Sequence, residues 1–249
     1  YSVQLFEFER IRKILFQLKN YRIRYQVPVN DLQLKQENWV PYVQGTFFGE
    51  KNCYYTMKGT FELPEDWKEM SVALQVYSSL SEWDNTTNPQ MKVFLNGNYI
   101  QAIDVNHREV RLDPSELTGT IALQIDIFSG REEKKFPLYV NLLAIDPIVE
   151  QVWFDFSTIF DSWRAIRKFG GEEQIYQSCL SQAANALDFR APYTPRFYEG
   201  LTNAQECLQA CYSQEIRQKV TAVGHTHIDL AWLWTAQQAV EKGERSFQT

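Results

Sequence analysis

The chain begins with an amphipathic pattern. Between residues 4 and 19, apolar side chains recur at intervals of three and four positions among several charged ones. This period places the apolar residues in one stripe along a helix, and the stripe must pack against another part of the protein. We therefore predict an N-terminal helical segment at residues 1–34.

The apolar period changes to two between about Trp39 and Ile145. Apolar residues alternate along 72–76 and 121–127, as is typical of half-buried antiparallel strands. Asn96-Gly97 stands between two predicted strands and is a strong signal for a tight hairpin turn. Short strands separated by turns predict an antiparallel β-sandwich domain, to which we assign residues 35–147.

A helical period returns after Asp146-Pro147. It predicts helices at residues 148–167, 172–187 and 196–214, which we interpret as a helical linker region, 148–217, that bridges two domains without a core of its own. Residues 219–223 predict a short buried strand, and residues 235–247 predict a helix. We interpret residues 218–249 as the first β-α unit of a truncated α/β catalytic domain. The predicted fold class is therefore mixed β and α.

Composition and charge exclude several classes of protein. Of the 249 residues, 44% are hydrophobic and 14% are aromatic, which excludes a disordered chain. A net charge of −6 without a long run of either sign argues against nucleic-acid binding, and no apolar run is long enough to span a membrane. The four cysteines form no CxxC pair, so we expect reduced thiols and a cytoplasmic protein. Neither end carries the signals of a natural terminus, and we expect a piece of a longer protein.

Two of the three histidines lie in one short motif, Gly224-His225-Thr226-His227, which Asp229 follows. In an extended segment, residues i and i+2 point the same way, so the side chains of His227 and Asp229 can converge on one ion. An imidazole nitrogen and a carboxylate oxygen are both ligands that zinc accepts. His225 is either a third ligand or a residue that holds the loop by hydrogen bonds.

The remaining candidates are aromatic residues and one isolated histidine. Trp232 and Trp234 follow the motif. An exposed indole can stack on a sugar ring, although a tryptophan beside Leu230 and Leu233 is also typical of a core. His107 lies within the predicted sandwich, and we interpret it as a surface or turn residue.

The segment Val223-Gly-His-Thr-His-Ile-Asp-Leu-Ala-Trp-Leu-Trp234 resembles the opening metal-site motif of glycoside hydrolase family 38, the α-mannosidases. The resemblance is close over residues 220–249. A β-domain and helices ahead of the motif are similar to the layout of the cytosolic and bacterial branch of that family.

The resemblance implies a retaining, zinc-dependent hydrolase of terminal α-mannosides in oligosaccharides and N-glycans. By the same resemblance, His227 and Asp229 correspond to two of four ligands of a Zn²⁺ ion, and Trp232 corresponds to the aromatic residue that stacks on the bound mannose. The nucleophile and the general acid lie further along the family's catalytic domain, so no catalytic residue is assigned here and this fragment is expected to be inactive. The expected partner is a mannose-containing oligosaccharide. The oligomeric state of the full-length protein is left open, and a homo-oligomer is one alternative.

Two alternatives remain open at this point. A metal-dependent amidohydrolase also has an HxH motif after an early strand, and there both His225 and His227 would be ligands. A carbohydrate-binding module is the alternative from another class, because the predicted sandwich is rich in aromatic residues, although their spacing also suits a core. These residues are Trp39, Tyr42, Tyr54, Tyr55, Trp67, Tyr77, Trp83 and Tyr99.

Overall fold

The computed structural model describes residues 2–67, 70–79, 88–212, 219, 221–225, 227–230 and 234–247. Its helices are α1 (Ser2–Tyr21), α2 (Pro147–Phe169), α3 (Gln174–Ala186), α4 (Pro195–Tyr212) and α5 (Ala236–Phe247). Each lies where the helical period predicts it, with ends that differ by a few residues. None of the helices in these described ranges combines the length and the apolar character that a bilayer crossing requires.

The strands lie between α1 and α2. They are β1 (Ile23–Pro28), β2 (Gln33–Lys35), β3 (Trp39–Pro41), β4 (Phe47–Phe48), β5 (Tyr54–Phe61), β6 (Ser71–Ser78), β7 (Gln90–Leu95), β8 (Asn98–Ile103), β9 (Glu109–Leu112), β10 (Ile121–Phe128) and β11 (Phe136–Ile145). The first strands begin inside residues 1–34, which we predicted as a helical segment. The helix ends at Tyr21 because the next residues pair with a strand far along the chain, β11, and no local pattern reveals that partner.

Two sheets enclose one apolar core, so the predicted mixed fold with an antiparallel sandwich is confirmed. One sheet has the order β1-β11-β6-β9, with β4 also paired to β11, and the other has the order β3-β2-β5-β10-β7-β8. In the second sheet β10 pairs antiparallel with both β5 and β7, and Ile125 lies opposite Met57 and Val93. All three side chains are fully buried, because alternate residues of neighbouring strands in register face the same side of a sheet.

The predicted hairpin forms between β7 and β8. Asn96 and Gly97 both have positive φ angles, 49° and 83°, as a two-residue turn of type I′ requires. The Asn96 side chain also accepts a hydrogen bond from the backbone N–H of Ala122, at 2.9 Å. This bond joins the turn to β10.

The aromatic residues of the sandwich divide between core and surface. Tyr42, Tyr55 and Trp67 are buried in the core, whereas Trp39 and Tyr54 are exposed, and Trp83 lies outside the described residues. The three buried aromatic residues therefore have the structural role in the core that their spacing predicts, and the two exposed ones do not.

The chain divides into two compact units. The sandwich unit comprises residues 25–144 and 222–249, and the helical unit comprises residues 1–24 and 145–221. In the helical unit, α1 packs with α2, α3 and α4 around a core that includes Ile11, Phe156, Trp163 and Leu201. The interpretation of residues 148–217 as a bridge without a core is therefore wrong, because the apolar stripe of α1 completes a core that α2–α4 alone would leave open.

Candidate functional site

The segment that carries the candidate ligands precedes α5 in the sandwich unit. Residues 219 and 221–223 form neither helix nor strand, and Val223 is 80% exposed, so the predicted buried strand is not formed in the part of it that the structure describes. A strand needs a neighbour to pair its backbone groups, and no described strand pairs with this segment. The predicted helix is confirmed as α5, whereas the described residues of the predicted strand form none.

Thr235 and Gln238 form a reciprocal cap at the start of α5. The hydroxyl oxygen of Thr235 accepts the N–H of Gln238, and the side-chain oxygen of Gln238 accepts the N–H of Thr235, each at 3.3 Å. This is the capping box expected of a threonine followed three residues later by a glutamine. The cap fixes where the loop ends and the helix begins.

His227 and Asp229 are adjacent, as the i, i+2 spacing predicts. Nε2 of His227 lies 3.1 Å from Oδ1 of Asp229, and the two side chains are 79% and 49% exposed. Two ligands of a tetrahedral zinc ion, each about 2.1 Å from the metal, lie roughly 3.4 Å apart. The pair therefore has nearly the separation that two zinc ligands need.

Trp234 contacts the backbone of the same loop. Its indole N–H donates to the backbone oxygen of Asp229 at 2.9 Å, and the ammonium of Lys242 lies 4.4 Å from the centre of its ring. Trp232, the candidate sugar-stacking residue, lies outside the described residues. The indole of Trp234 thus restrains the backbone that carries one candidate ligand.

His225 does not join the pair. It is exposed and makes no hydrogen bond to any described residue. Throughout the described ranges, no group of three histidine, cysteine or acidic side chains is arranged to hold a metal ion. The described residues therefore supply two candidate zinc ligands, His227 and Asp229, and not a complete coordination shell.

A cavity of about 410 Å³ lies beside the motif. His225, His227 and Trp234 line it from the motif, and Asp104 and His107 line it from the turn between β8 and β9. All of these residues belong to the sandwich unit. The three histidines of the chain therefore meet at one cavity although His107 lies more than a hundred residues away in sequence.

Ion pairs and hydrogen bonds attach α5 to the outer face of the sandwich. Glu244 pairs with Lys92 on β7 at 3.0 Å, and the guanidinium of Arg245 donates to the side-chain oxygen of Gln90. Burial lowers the pKa of Arg245, and the neighbouring carboxylate of Glu241 opposes that effect. These contacts hold the helix so that the motif before it faces the turn after β8.

Sequence reasoning missed Asp104 and interpreted His107 only as a surface or turn histidine. His107 does lie in a turn and is half-exposed, so that interpretation holds for its local structure. The local signal was Asp104 itself, because an aspartate side chain commonly accepts the backbone N–H two residues further on and so closes a turn. Nothing in that signal indicates which distant residues the turn faces.

Solved structures resemble this chain only loosely. A β-glucuronidase of an uncultured Clostridium species is 12% identical, with a TM-score of 0.35 over 50% of this chain and 30% of that one. A β-glucuronidase of Ruminococcus gnavus is 10% identical, with a TM-score of 0.37 over 50% of this chain and 29% of that one. Likeness of this size supports no inference about function.

Sequence comparisons match the end of the chain. Residues 217–249 match the family model described as the glycosyl hydrolases family 38 N-terminal domain. Alpha-mannosidase G of Dictyostelium discoideum is 50% identical over 38 residues, which are 15% of this chain and 4% of that protein. The chain thus matches a small fraction of this relative's length. Both matches confirm the predicted resemblance to family 38, and both lie in a short part of this chain.

Proposed function

We propose that this chain is the N-terminal part of a retaining, zinc-dependent α-mannosidase that hydrolyses terminal α-mannosides of oligosaccharides and N-glycans. The observation that carries the proposal is the 3.1 Å pairing of His227 with Asp229 within the segment that matches the family. Residues 218–249 would then begin the catalytic domain. The free thiols of Cys53, Cys179, Cys207 and Cys211 support a cytoplasmic location as part of the same proposal.

Each residue of the motif has a separate role in this proposal. The imidazole of His227 and the carboxylate of Asp229 would hold the ion, Trp234 would keep the Asp229 backbone in place, and Trp232 would stack on the mannose ring. When bound, zinc would supply coordination sites for neighbouring hydroxyls of the sugar and stabilise developing charge. His225 stands apart from the pair, which favours this proposal over an amidohydrolase that uses both histidines.

The test is hydrolysis of an aryl α-mannoside by the full-length protein. We expect activity that disappears with a chelator, returns with zinc, and falls at least about 10-fold in Asp229→Ala, because loss of a metal ligand costs no less than loss of its supporting residues. Asp161→Ala, which removes an exposed carboxylate on α2, is the matched control and should keep full activity.

Two outcomes would contradict the proposal. One is full activity in the presence of chelator, and the other is no α-mannosidase activity from a metal-loaded protein. Loss of bound metal in His225→Ala as complete as in His227→Ala would instead favour the amidohydrolase. Residues 1–249 alone should hydrolyse no α-mannoside, since their described part supplies two metal ligands and the family resemblance places the nucleophile outside them.

A further inference from the structure

The turn after β8 holds one imidazole in a fixed orientation. Oδ1 of Asp104 accepts the backbone N–H groups of Asn106 and His107, both at 2.8 Å, and lies 3.0 Å from Nδ1 of the His107 ring. The backbone N–H of Asp104 donates to the carbonyl oxygen of His107 at 3.1 Å. Four contacts within four residues therefore leave this ring little freedom.

The orientation of the His107 ring determines what it can bind. A carboxylate only accepts hydrogen bonds, so the Nδ1 that faces Asp104 carries the proton and Nε2 of the neutral ring is an acceptor. No residue in the described ranges donates to this Nε2. His107 lines the cavity, and in the neutral ring with Nδ1 protonated its Nε2 is an acceptor that no described residue occupies.

The cavity has the size and the chemistry of a sugar site. Its volume of about 410 Å³ lies within the range of about 300 to 1,000 Å³ that is typical of small-molecule sites. Acceptors and donors (Asp104, His107, Gln90) and apolar surface (Ile103, Trp234) line it together. Sugar hydroxyls need both kinds of polar group, and the C–H faces of the ring need apolar contact.

The three histidines are not arranged to bind one metal ion together, because the described residues contain no metal-binding group of three. A ligand that reaches both walls of the cavity must be larger than an ion. If the terminal mannose lies at the ion that His227 and Asp229 would hold, then the wall from the sandwich faces the next sugar of the oligosaccharide.

We propose that His107, held by the positioning residue Asp104, determines specificity by accepting a hydrogen bond from the sugar residue next to the cleaved mannose. The inference rests on the proposed mannosidase function and adds to it: the β-sandwich supplies part of the binding site for the leaving group. An oligosaccharide whose second residue is a sugar is then preferred over a substrate with an apolar leaving group.

The first experiment compares an α-linked mannobiose with an aryl α-mannoside as substrates of the full-length protein. In His107→Ala and in Asp104→Ala we expect KM for mannobiose to rise about fivefold to tenfold, the usual worth of one hydrogen bond, with kcat within about twofold. KM for the aryl mannoside should not change. His107→Gln, which keeps an acceptor near the position of Nε2, should restore part of the affinity.

A matched control comes from a second turn of the same kind. Asp113 accepts the backbone N–H and the hydroxyl of Ser115, at 2.9 and 2.6 Å, in the same sandwich but away from the cavity. Asp113→Ala should leave both KM values unchanged. An unchanged KM for mannobiose in His107→Ala, with an active wild type, would overturn the inference and leave the proposed function intact.

The second experiment needs no activity. Since the 249-residue chain has three histidines, a long-range ¹H–¹⁵N spectrum of its imidazoles has three sets of signals, which single His variants assign. Titration with mannobiose should shift the His107 signals, and Asp104→Ala should weaken the shift. A shift in the 249-residue chain together with an inactive full-length protein would reject the mannosidase but keep a sugar site at His107. The absence of any His107 shift at millimolar mannobiose would overturn the inference.

Discussion

Asp146 connects two helices of the helical unit through its two carboxylate oxygens. Oδ1 accepts the N–H groups of Ile148 and Val149 and so caps the start of α2, at 3.0 and 3.1 Å. Oδ2 accepts the hydroxyl of Tyr198 on α4 at 2.5 Å. Asp146 is buried, so each of these bonds replaces one that water would otherwise make.

The Tyr198 hydroxyl makes the stability of the helical unit depend on pH. Burial, and then the hydrogen bond to Asp146, raise the pKa of Tyr198 from 10.0 to about 12. Above pH 10 the unfolded chain releases this proton while the folded chain keeps it, so the stabilisation by Tyr198 is complete below pH 10 and is lost as the pH approaches 12. Wild type should therefore exceed Tyr198→Phe in its free energy of unfolding at pH 9, and the difference should shrink towards pH 12.

Urea unfolding of both proteins at several pH values measures this difference. A difference that stays constant from pH 9 to pH 12 would mean that the hydroxyl titrates alike in the folded and unfolded chains. Asp146→Asn keeps an acceptor oxygen without the charge, and it should retain the cap while reducing the pH dependence.

Alanine substitutions at two helical glycines are expected to change the free energy of unfolding in opposite directions. A Cβ atom on Gly200 of α4 would lie 2.8 Å from the carbonyl oxygen of Ala186, the last residue of α3, so the glycine allows the two helices to approach closely. A Cβ on Gly243 of α5 would meet only Ile228 Cδ1, at an ordinary 3.9 Å. A side chain at Gly200 would therefore collide with backbone, whereas a side chain at Gly243 would not.

We expect Gly200→Ala to lower the free energy of unfolding by about 1 to 3 kcal/mol, because the clash with a backbone oxygen outweighs the better helix propensity of alanine. Gly243→Ala should raise it by about 0.5 to 1 kcal/mol, because there the propensity acts alone. Thermal unfolding of the two variants, followed by circular dichroism, checks both signs. Stabilisation in Gly200→Ala would show that α3 and α4 separate at little cost.

The described residues form two apolar cores, one in each unit. Ile125 lies at the centre of the sandwich core and Ile159 lies in the core of α1–α4, both almost fully buried. A unit with a core of its own can unfold as a unit. We therefore expect calorimetry to resolve two unfolding transitions.

The matched substitutions Ile125→Val and Ile159→Val test this expectation. Each removes one buried methylene and should cost about 1 kcal/mol in its own core. Each should lower the midpoint of one transition by roughly 3 to 5 °C and leave the other in place. A single transition that both substitutions shift would show that the two cores unfold together.

Local patterns in the sequence predicted most elements of this protein, because the forces that form them act over a few residues. Alternation along 121–127 determined which side chains of β10 face the core, and Asn96-Gly97 determined the hairpin, since few other residues adopt two successive positive φ angles. The i, i+2 spacing likewise predicted that His227 and Asp229 would be neighbours.

Only the tertiary structure decided which elements meet. The stripe of α1 predicted a helix that packs on something, and the fold supplied α2 and α3 as its partners. The segment 219–223 has the composition of a strand, yet its described residues pair with none, because pairing depends on a neighbour and not on composition. His107 lies at the cavity beside the motif because α5 packs on the sandwich. That contact joins residues far apart in sequence, and no local pattern encodes it.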